Sequence, residues 1–378
     1  MRRTVAAALA AGTLVSCALA DMTLYNMGLA PSLSSFSRPT VAADGSRAAF
    51  TANTDQGARA FTFTPGLTPQ SIGLPTGGIS AFAAGISADG LAVGGTTNVG
   101  GRNRAFRWTN AAGFQLMPFR TGGTYTTGRG FSGDGLTLVG DSDTLANTAR
   151  TATIWPSLGS PIALGALPGG TPDFSGYLSL ATGASHDGSV VIGWSRSGTG
   201  ERGFRWTAAD GMQSLGTLPG GTRSYANAVD ATGTIIAGAS DAGGAELVAF
   251  RWTLDTGMAP LGSIPGLRGS QAFGMSAAGD AVVGAAGITA AEQRAFLWRA
   301  DLGMVNLQTL LPSLGVDLTG WVLSEARGVS NGGTMIIGTG TFEGQARVWV
   351  AVIPGPSAAA LLPLALGIAS QRRRRTPA

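Results

Sequence analysis

The sequence predicts an all-β fold: a seven-bladed β-propeller of four-stranded blades, its ring closed by the N-terminal strand. Three independent markers carry this expectation, each occurring seven times in the same order. The aromatic that ends segments such as Ala105-Phe106-Arg107-Trp108 falls at Phe63, Trp108, Trp155, Trp206, Trp252, Trp298 and Trp349, at intervals of 45 to 51 residues. A glycine turn falls at Gly45, Gly90, Gly135, Gly188, Gly233, Gly279 and Gly333. A proline after an apolar residue or alanine falls at Pro31, Pro75, Pro118, Pro168, Pro219, Pro265 and Pro312. Such a period marks a repeat architecture, in which each unit buries its apolar face only against its neighbours. Composition agrees. Sixty glycines, 44% apolar and 12% charged residues exclude a disordered chain, which would be charged and poor in apolar residues.

Taken from the start, residues 1–20 read as a secretory leader. Arg2 and Arg3 precede an apolar stretch over 5–15, and Ala18-Leu19-Ala20 forms a small-residue cleavage site before Asp21. Leu14-Val15-Ser16-Cys17 also fits a lipobox, in which Cys17 would be lipidated. A strand beginning near Met22 favours ordinary cleavage, because a lipoprotein usually carries a tether first. Cys17 is the only cysteine, so no disulfide framework exists.

Each unit then yields four short strands. In the fifth, 225–230 is strand one, Ala231-Thr232-Gly233 turns, and 234–239 is strand two. Strand three covers 247–253, Asp255-Thr256-Gly257 turns again, and strand four covers 258–262. Glycine accepts positive φ in such hairpins, and β-branched residues such as Ile235 and Ile236 favour strands. The last unit stops after its third strand, 346–350. The mature chain begins Met22-Thr23-Leu24-Tyr25-Asn26-Met27-Gly28, much like the fourth strand Gly303-Met304-Val305-Asn306-Leu307. Residues 22–28 are therefore expected to pair with 346–350 and remove the open edge of the ring.

Strand one fits a crowded axis. Five and seven residues before the turn glycine, small residues dominate, as in Gly130 and Gly128 or Ala228 and Ala226. The position between them varies: Pro39, Ala84, Arg129, Thr182, Asn227, Phe273 and Arg327. Period two turns it away from its neighbours, toward the axis. The Phe and Trp of strand three, such as Phe204 and Trp206, share one face and are expected to supply the bulk between blades.

The tail reads Ile353-Pro354-Gly355-Pro356, an apolar run over 357–369, then four arginines at 372–375. The run is shorter than the roughly 20 residues of an ordinary membrane-spanning helix. The order resembles the PEP-CTERM sorting signal of bacteria, with Gly355 where that signal carries glutamate. The resemblance implies processing by an exosortase-type machinery; a variant sorting system and a plain short anchor are the alternatives. The domain reading is a leader at 1–20, a propeller at 21–352 and a sorting tail at 353–378. The only membrane contact expected is through that tail, and the localisation expected is secreted or cell-surface.

The repeats themselves, across nearly all of 22–350, resemble the HAF repeats of bacterial extracellular proteins. The best matches are Ala105-Phe106-Arg107-Trp108-Thr109 and Ala249-Phe250-Arg251-Trp252-Thr253, with Leu215-Gly216-Thr217-Leu218-Pro219-Gly220-Gly221-Thr222 as the linking segment. Arg59, Arg104, Val248 and Arg294 stand where that family has its histidine. The resemblance implies an exported repeat protein and transfers no activity or catalytic residue.

All 25 basic residues are arginine, which excludes a lysine nucleophile or Schiff base. Without the six arginines of the two ends, 19 remain against 21 acids, so nucleic acid is not an expected partner. Asp44, Asp89, Asp134 and Asp187 recur in the glycine turns, but no second carboxylate follows at calcium-loop spacing, and hairpin capping is the expected role. Arg107, Arg205 and Arg251 are expected to stack on aromatics or bond loop carbonyls. His186 is the only histidine and has no evident triad partner. No catalytic residue, metal site or cofactor is expected. The chain reads as an interaction module for a glycan, a matrix polymer or a protein. A propeller hydrolase or lyase and a purely structural surface component are the alternatives. Units four and seven carry longer loops, with Asp173, Phe174 and Tyr177 in one and Asp317 and Trp321 in the other. Arg129, Arg327, Tyr177 and Trp321 are the candidate binding residues, suited to a carboxylated or sulfated glycan. The competing role for the two arginines is pairing with turn acids between blades.

Overall fold

A computed structural model of the chain describes residues 23–30, 37–144, 147–157 and 159–353. The residues expected to form a leader or lipobox, and all but Ile353 of the expected sorting tail at 353–378, lie outside the described residues. Seven antiparallel four-stranded sheets form a ring, a seven-bladed β-propeller as expected. In six blades the strands run outward in chain order. Blade five shows the pattern, with β18 (Ser224–Val229), β19 (Ile235–Asp241), β20 (Leu247–Thr253) and β21 (Gly257–Pro260) all close to the boundaries read from sequence.

Blade seven is composite. Its chain-order strands are β26 (Trp321–Val329), β27 (Met335–Phe342) and β28 (Gln345–Val352), and its outer strand is β1 (Thr23–Leu29). Thr23 pairs with Val352, Tyr25 with Val350 and Asn26 with Trp349, so the N-terminal strand closes the ring. Met27 is buried there with Phe63 and Val350, tying the seam to blade one.

The core is divided. Among the described residues seven apolar clusters form, one at each blade-to-blade interface. Between blades three and four, Val139 and Ile154 meet Ala181, Val191 and Phe204. The residue before the loop proline plugs several interfaces: Met117, Leu167, Leu218 and Ile264 are all buried. The aromatic expectation needs one correction. The fully buried ring of strand three is mostly the phenylalanine, at Phe106, Phe204, Phe250 and Phe296, while Trp206 is only half-buried. The tryptophan lies two residues nearer the outer turn, where the interface opens.

At the axis the inner strands almost touch. A Cβ on Gly130 would stand 2.5 Å from the Thr182 carbonyl oxygen, and one on Gly274 would stand 2.2 Å from that of Arg327. Only hydrogen fits between blades there. The turns between strands one and two then bond one another around the axis. Ala43 N–H donates to Ala88 O, Ala88 to Gly133, Asp134 to His186, His186 to Ala231 and Ala231 to Ala277, at 2.7–3.1 Å. Ala278 N–H donates to Asn331 Oδ1, and Asn331 N–H returns to Ala43 O, both at 2.9 Å. The circuit links all seven blades.

The turn carboxylates cap these same hairpins. Asp89 Oδ1 accepts from Leu91 N–H at 2.9 Å and from Ser87 Oγ at 2.5 Å. Asp187 is held down at about 2 by the Ser189 amide, with the Ser189 and Ser185 hydroxyls adding to it. Arg107 Nε and Arg205 Nε reach the turn carbonyls of Gly135 and Gly233 in the next blade, at 2.7 and 3.2 Å. One element departs from expectation. After β25 (Gly303–Asn306) the chain forms a helix, α1 (Leu307–Ser313), capped by the Asn306 side chain and burying Leu307 and Leu311.

Replacing Phe204 by alanine is expected to destabilise the ring by about 3–5 kcal/mol, and Trp206→Ala by clearly less. Urea unfolding followed by far-UV circular dichroism checks the order of the two.

Candidate functional site

Crowding at the axis creates the site. Six inner strands carry a register shift at the variable position, between residues such as Gly128 and Gly130, Ala226 and Ala228, or Ala326 and Gly328. The extra residue of such a bulge is re-aimed out of the ladder. Here the re-aimed residues are Ala84, Arg129, Thr182, Asn227, Phe273 and Arg327. Together with Pro39 all of them line one axial cavity of about 190 Å³. Its far end is the ring of turns, where His186 sits exposed.

Two of the sequence candidates therefore share a cavity, and both are paired. Arg129, only 4% exposed, donates from Nε to Asp141 Oδ1 at 2.7 Å. Burial alone would lower its pKa; the Asp141 carboxylate outweighs this and raises it. Arg327 donates from Nε and Nη2 to Glu325 Oε2, at 2.8 and 2.6 Å, and lies 4.1 Å over the Phe273 ring. The acids were expected in turns between blades. Instead Asp141 lies on β11 (Thr137–Thr144), beside Arg129 in the same blade, and Glu325 lies two residues from Arg327 on β26.

A third guanidinium joins them. Arg38 enters just ahead of Pro39, its N–H bonded to Ala83 O at 3.0 Å and its Nη1 3.5 Å from Thr182 O. Among the described residues no carboxylate pairs with it. Burial first, then repulsion by Arg129 and Arg327, pushes its pKa down to about 9. Three guanidiniums thus share two carboxylates, and the axis carries surplus positive charge at the end away from the turns.

That end widens into a bowl of about 390 Å³, where Arg38 and Arg327 face Trp194, Tyr225, Asn227 and Gln271. Trp194 stands on β15 (Val190–Ser197), with its ring centroid 6.3 Å from Tyr225 on one side and 6.3 Å from Tyr177 on the other. Tyr225 Oη donates to the Glu201 carboxylate, and burial and that acid raise its pKa, so it remains a neutral donor. Glu201 also accepts from Arg196 Nη2 at 3.1 Å, and Arg196 holds Asp173 of the long loop at 2.9 Å.

Tyr177 belongs to this neighbourhood. Its hydroxyl accepts from Arg150 Nη1 at 2.7 Å and lies 3.4 Å from Arg129 Nη2. Trp321 does not. It is 9% exposed, packed 5.0 Å from Phe342 in the apolar cluster between blades six and seven. Helix α1 covers that interface, and Gln308 bonds the Trp321 and Leu323 backbone. Sequence reasoning missed Arg38, Trp194 and Tyr225. The repeats held a signal for Trp194. The residue after the second-strand glycine is Thr96, Ala239, Ala285 or Thr339 in most blades, but Asp141 and Trp194 in blades three and four.

No family model matches the chain, and no curated protein matches it. Solved structures do. An oligogalacturonate lyase in complex with manganese is similar at 13% identity and a TM-score of 0.59, over 89% of this chain and 91% of that one. The β-propeller domain of the Trilobed protease from Pyrococcus furiosus is similar at 10% identity and a TM-score of 0.54, over 85% and 94%. TolB from Acinetobacter baumannii aligns at 14% identity and a TM-score of 0.47; 83% of this chain is covered, but only 65% of that one. The first two establish the propeller fold. The chain is a β-propeller repeat protein whose axial bowl combines arginines, aromatics and amides.

Because Arg38 is held among like charges, Arg38→Gln is expected to raise Tm by about 2–4 °C, the shift that roughly 1 kcal/mol gives in a large domain. Differential scanning calorimetry at low salt measures it; a fall in Tm would mean that Arg38 stabilises the axis.

Proposed function

We propose that this propeller is an exported, surface-displayed interaction module without catalytic activity, and that it binds a carboxylated or sulfated polysaccharide at the loop end of its channel. The observation that carries the reading is the surplus guanidinium of Arg38, set beside Arg327 in a bowl with aromatic walls and the amides of Asn227 and Gln271. Guanidiniums match carboxylate and sulfate oxygens, amides match hydroxyls, and aromatic rings match the apolar faces of sugars. An anion in the bowl would relieve the repulsion among the three arginines. Asp141 and Glu325 are engaged by arginines, which suits a holding site better than acid–base chemistry. Of the four residues picked from sequence, Arg327 is proposed as a contact, and Arg129 lines the channel while paired with Asp141. Tyr177 borders the site, and Trp321 leaves it.

Export is supported by the two ends of the sequence and by the resemblance of the repeats to extracellular HAF proteins. The tail would engage an exosortase-type machinery and hold the protein at the membrane only in passing.

Isothermal titration with heparin, alginate and neutral dextran tests the binding. The acidic polymers should bind and dextran should not. The Arg38→Gln/Arg327→Gln double variant, with its circular dichroism unchanged, should lose tenfold or more in affinity, and rising salt should weaken the wild type. Equal binding of dextran and alginate would sink the proposal. Export has its own check in cell fractionation. Full-length protein should be found at the surface, and a variant ending at Ile353 should pass folded into the medium.

A further inference from the structure

The axial bowl continues sideways into a row of aromatic and cationic groups. Trp194 and Tyr225 line the bowl itself. Beyond Trp194 comes Tyr177, then the Arg150 guanidinium, 4.9 Å over the Tyr177 ring and 4.1 Å over that of Tyr125. Three of the chain's four tyrosines, one of its tryptophans and an arginine thus run in sequence across blades three to five. The polar ends of the row are fixed. Tyr177 Oη accepts from Arg150, and Tyr225 Oη is held by Glu201, itself held by Arg196. All five members are half-buried rather than sealed. A row built only to pack would need neither a cation between two rings nor this partial exposure.

We infer that Arg38 with Arg327 and, along the row, Arg150 are two anion subsites of one track, and that Trp194, flanked by Tyr225 and Tyr177, supports the sugar rings between them. The inference rests on the binding reading above and sharpens it. The ligand is a polymer charged on successive residues, a polyuronate or a densely sulfated chain, bound along its length rather than by one terminal sugar. A second anion at Arg150 adds a charge-assisted contact that a single sugar cannot make, so affinity should climb with chain length over the first few residues. Arg150 suits the role. Its stacking on two rings holds the guanidinium plane in place, and among the described residues no carboxylate pairs with it.

Mannuronate oligomers of one, two, four and six residues test this, with binding read by calorimetry and by tryptophan fluorescence. For the wild type, affinity should rise at least tenfold from monomer to hexamer. Ligand-dependent fluorescence should vanish in Trp194→Phe. In Arg150→Gln the ratio of hexamer to monomer affinity should collapse toward one, and Trp194→Ala should do the same if it folds. If the wild type binds monomer and hexamer equally, or if Arg150→Gln keeps the full length dependence, the track is wrong while anion binding at Arg38 stands. If no acidic oligomer binds at all, the proposed function falls together with the track.

Discussion

The close approach of seven backbones around one axis is the constraint from which the rest of this structure follows. The turns bond one another in a closed circuit, and that circuit fixes how near the inner strands must lie. At Gly130 and Gly274 even a methyl group would strike the neighbouring carbonyl, and outside blade one the other flanking positions hold glycine or alanine. An inner strand of small residues has little side-chain mass of its own to fill the hole. In six of the blades a bulge answers this by swinging one residue into the channel. Packing demands the small neighbours, and the residue between them is left free to vary. Variation at that one position lets a repetitive scaffold carry a site that is not repetitive.

Electrostatics at the axis runs against stability in one place. Arg129 and Arg327 each have a carboxylate in their own blade, and such pairs are close to neutral in net worth once desolvation is counted. Arg38 has no such compensation among the described residues. Groups held in an unfavourable environment by a rigid surround tend to mark functional positions. The surround here is rigid because each neighbouring strand is held on both sides by another blade.

The fold was legible because repetition supplies its own control. Seven copies of a turn, an aromatic and a proline fix the blade count, and the truncated last copy points to the strand that completes it. The site was legible only in part. Arg129 and Arg327 could be placed on the axis by counting back from the turn glycine, but their partners could not. Asp141 stands on a different strand, and its proximity depends on the register of the pairing. Arg38 escaped because blade one has a two-residue inner strand, β2 (Thr40–Val41), and its channel-facing position is a proline. The longer loop before blade seven suggested a binding residue in Trp321, which lies buried instead. The loop's leucines at 307, 310, 311 and 314 have helical spacing and an asparagine cap ahead of them. Leu307 and Leu311 of that helix share the apolar cluster in which Trp321 is buried.

The seam in blade seven also orders events in time. Thr23 finds its partner only at Val352, at the opposite end of the described chain. A polypeptide that emerges N-terminus first must leave its opening strand unpaired until nearly all of the remainder has appeared. Non-local pairing of this kind is slow, because loop-closure entropy is lost before the contact compensates for it. The six continuous blades can each form as a local meander, but the circle cannot lock before the last of them. The ring therefore stays open until its last strand has been made, and the latch is set when residues 345–352 meet the waiting N-terminal strand.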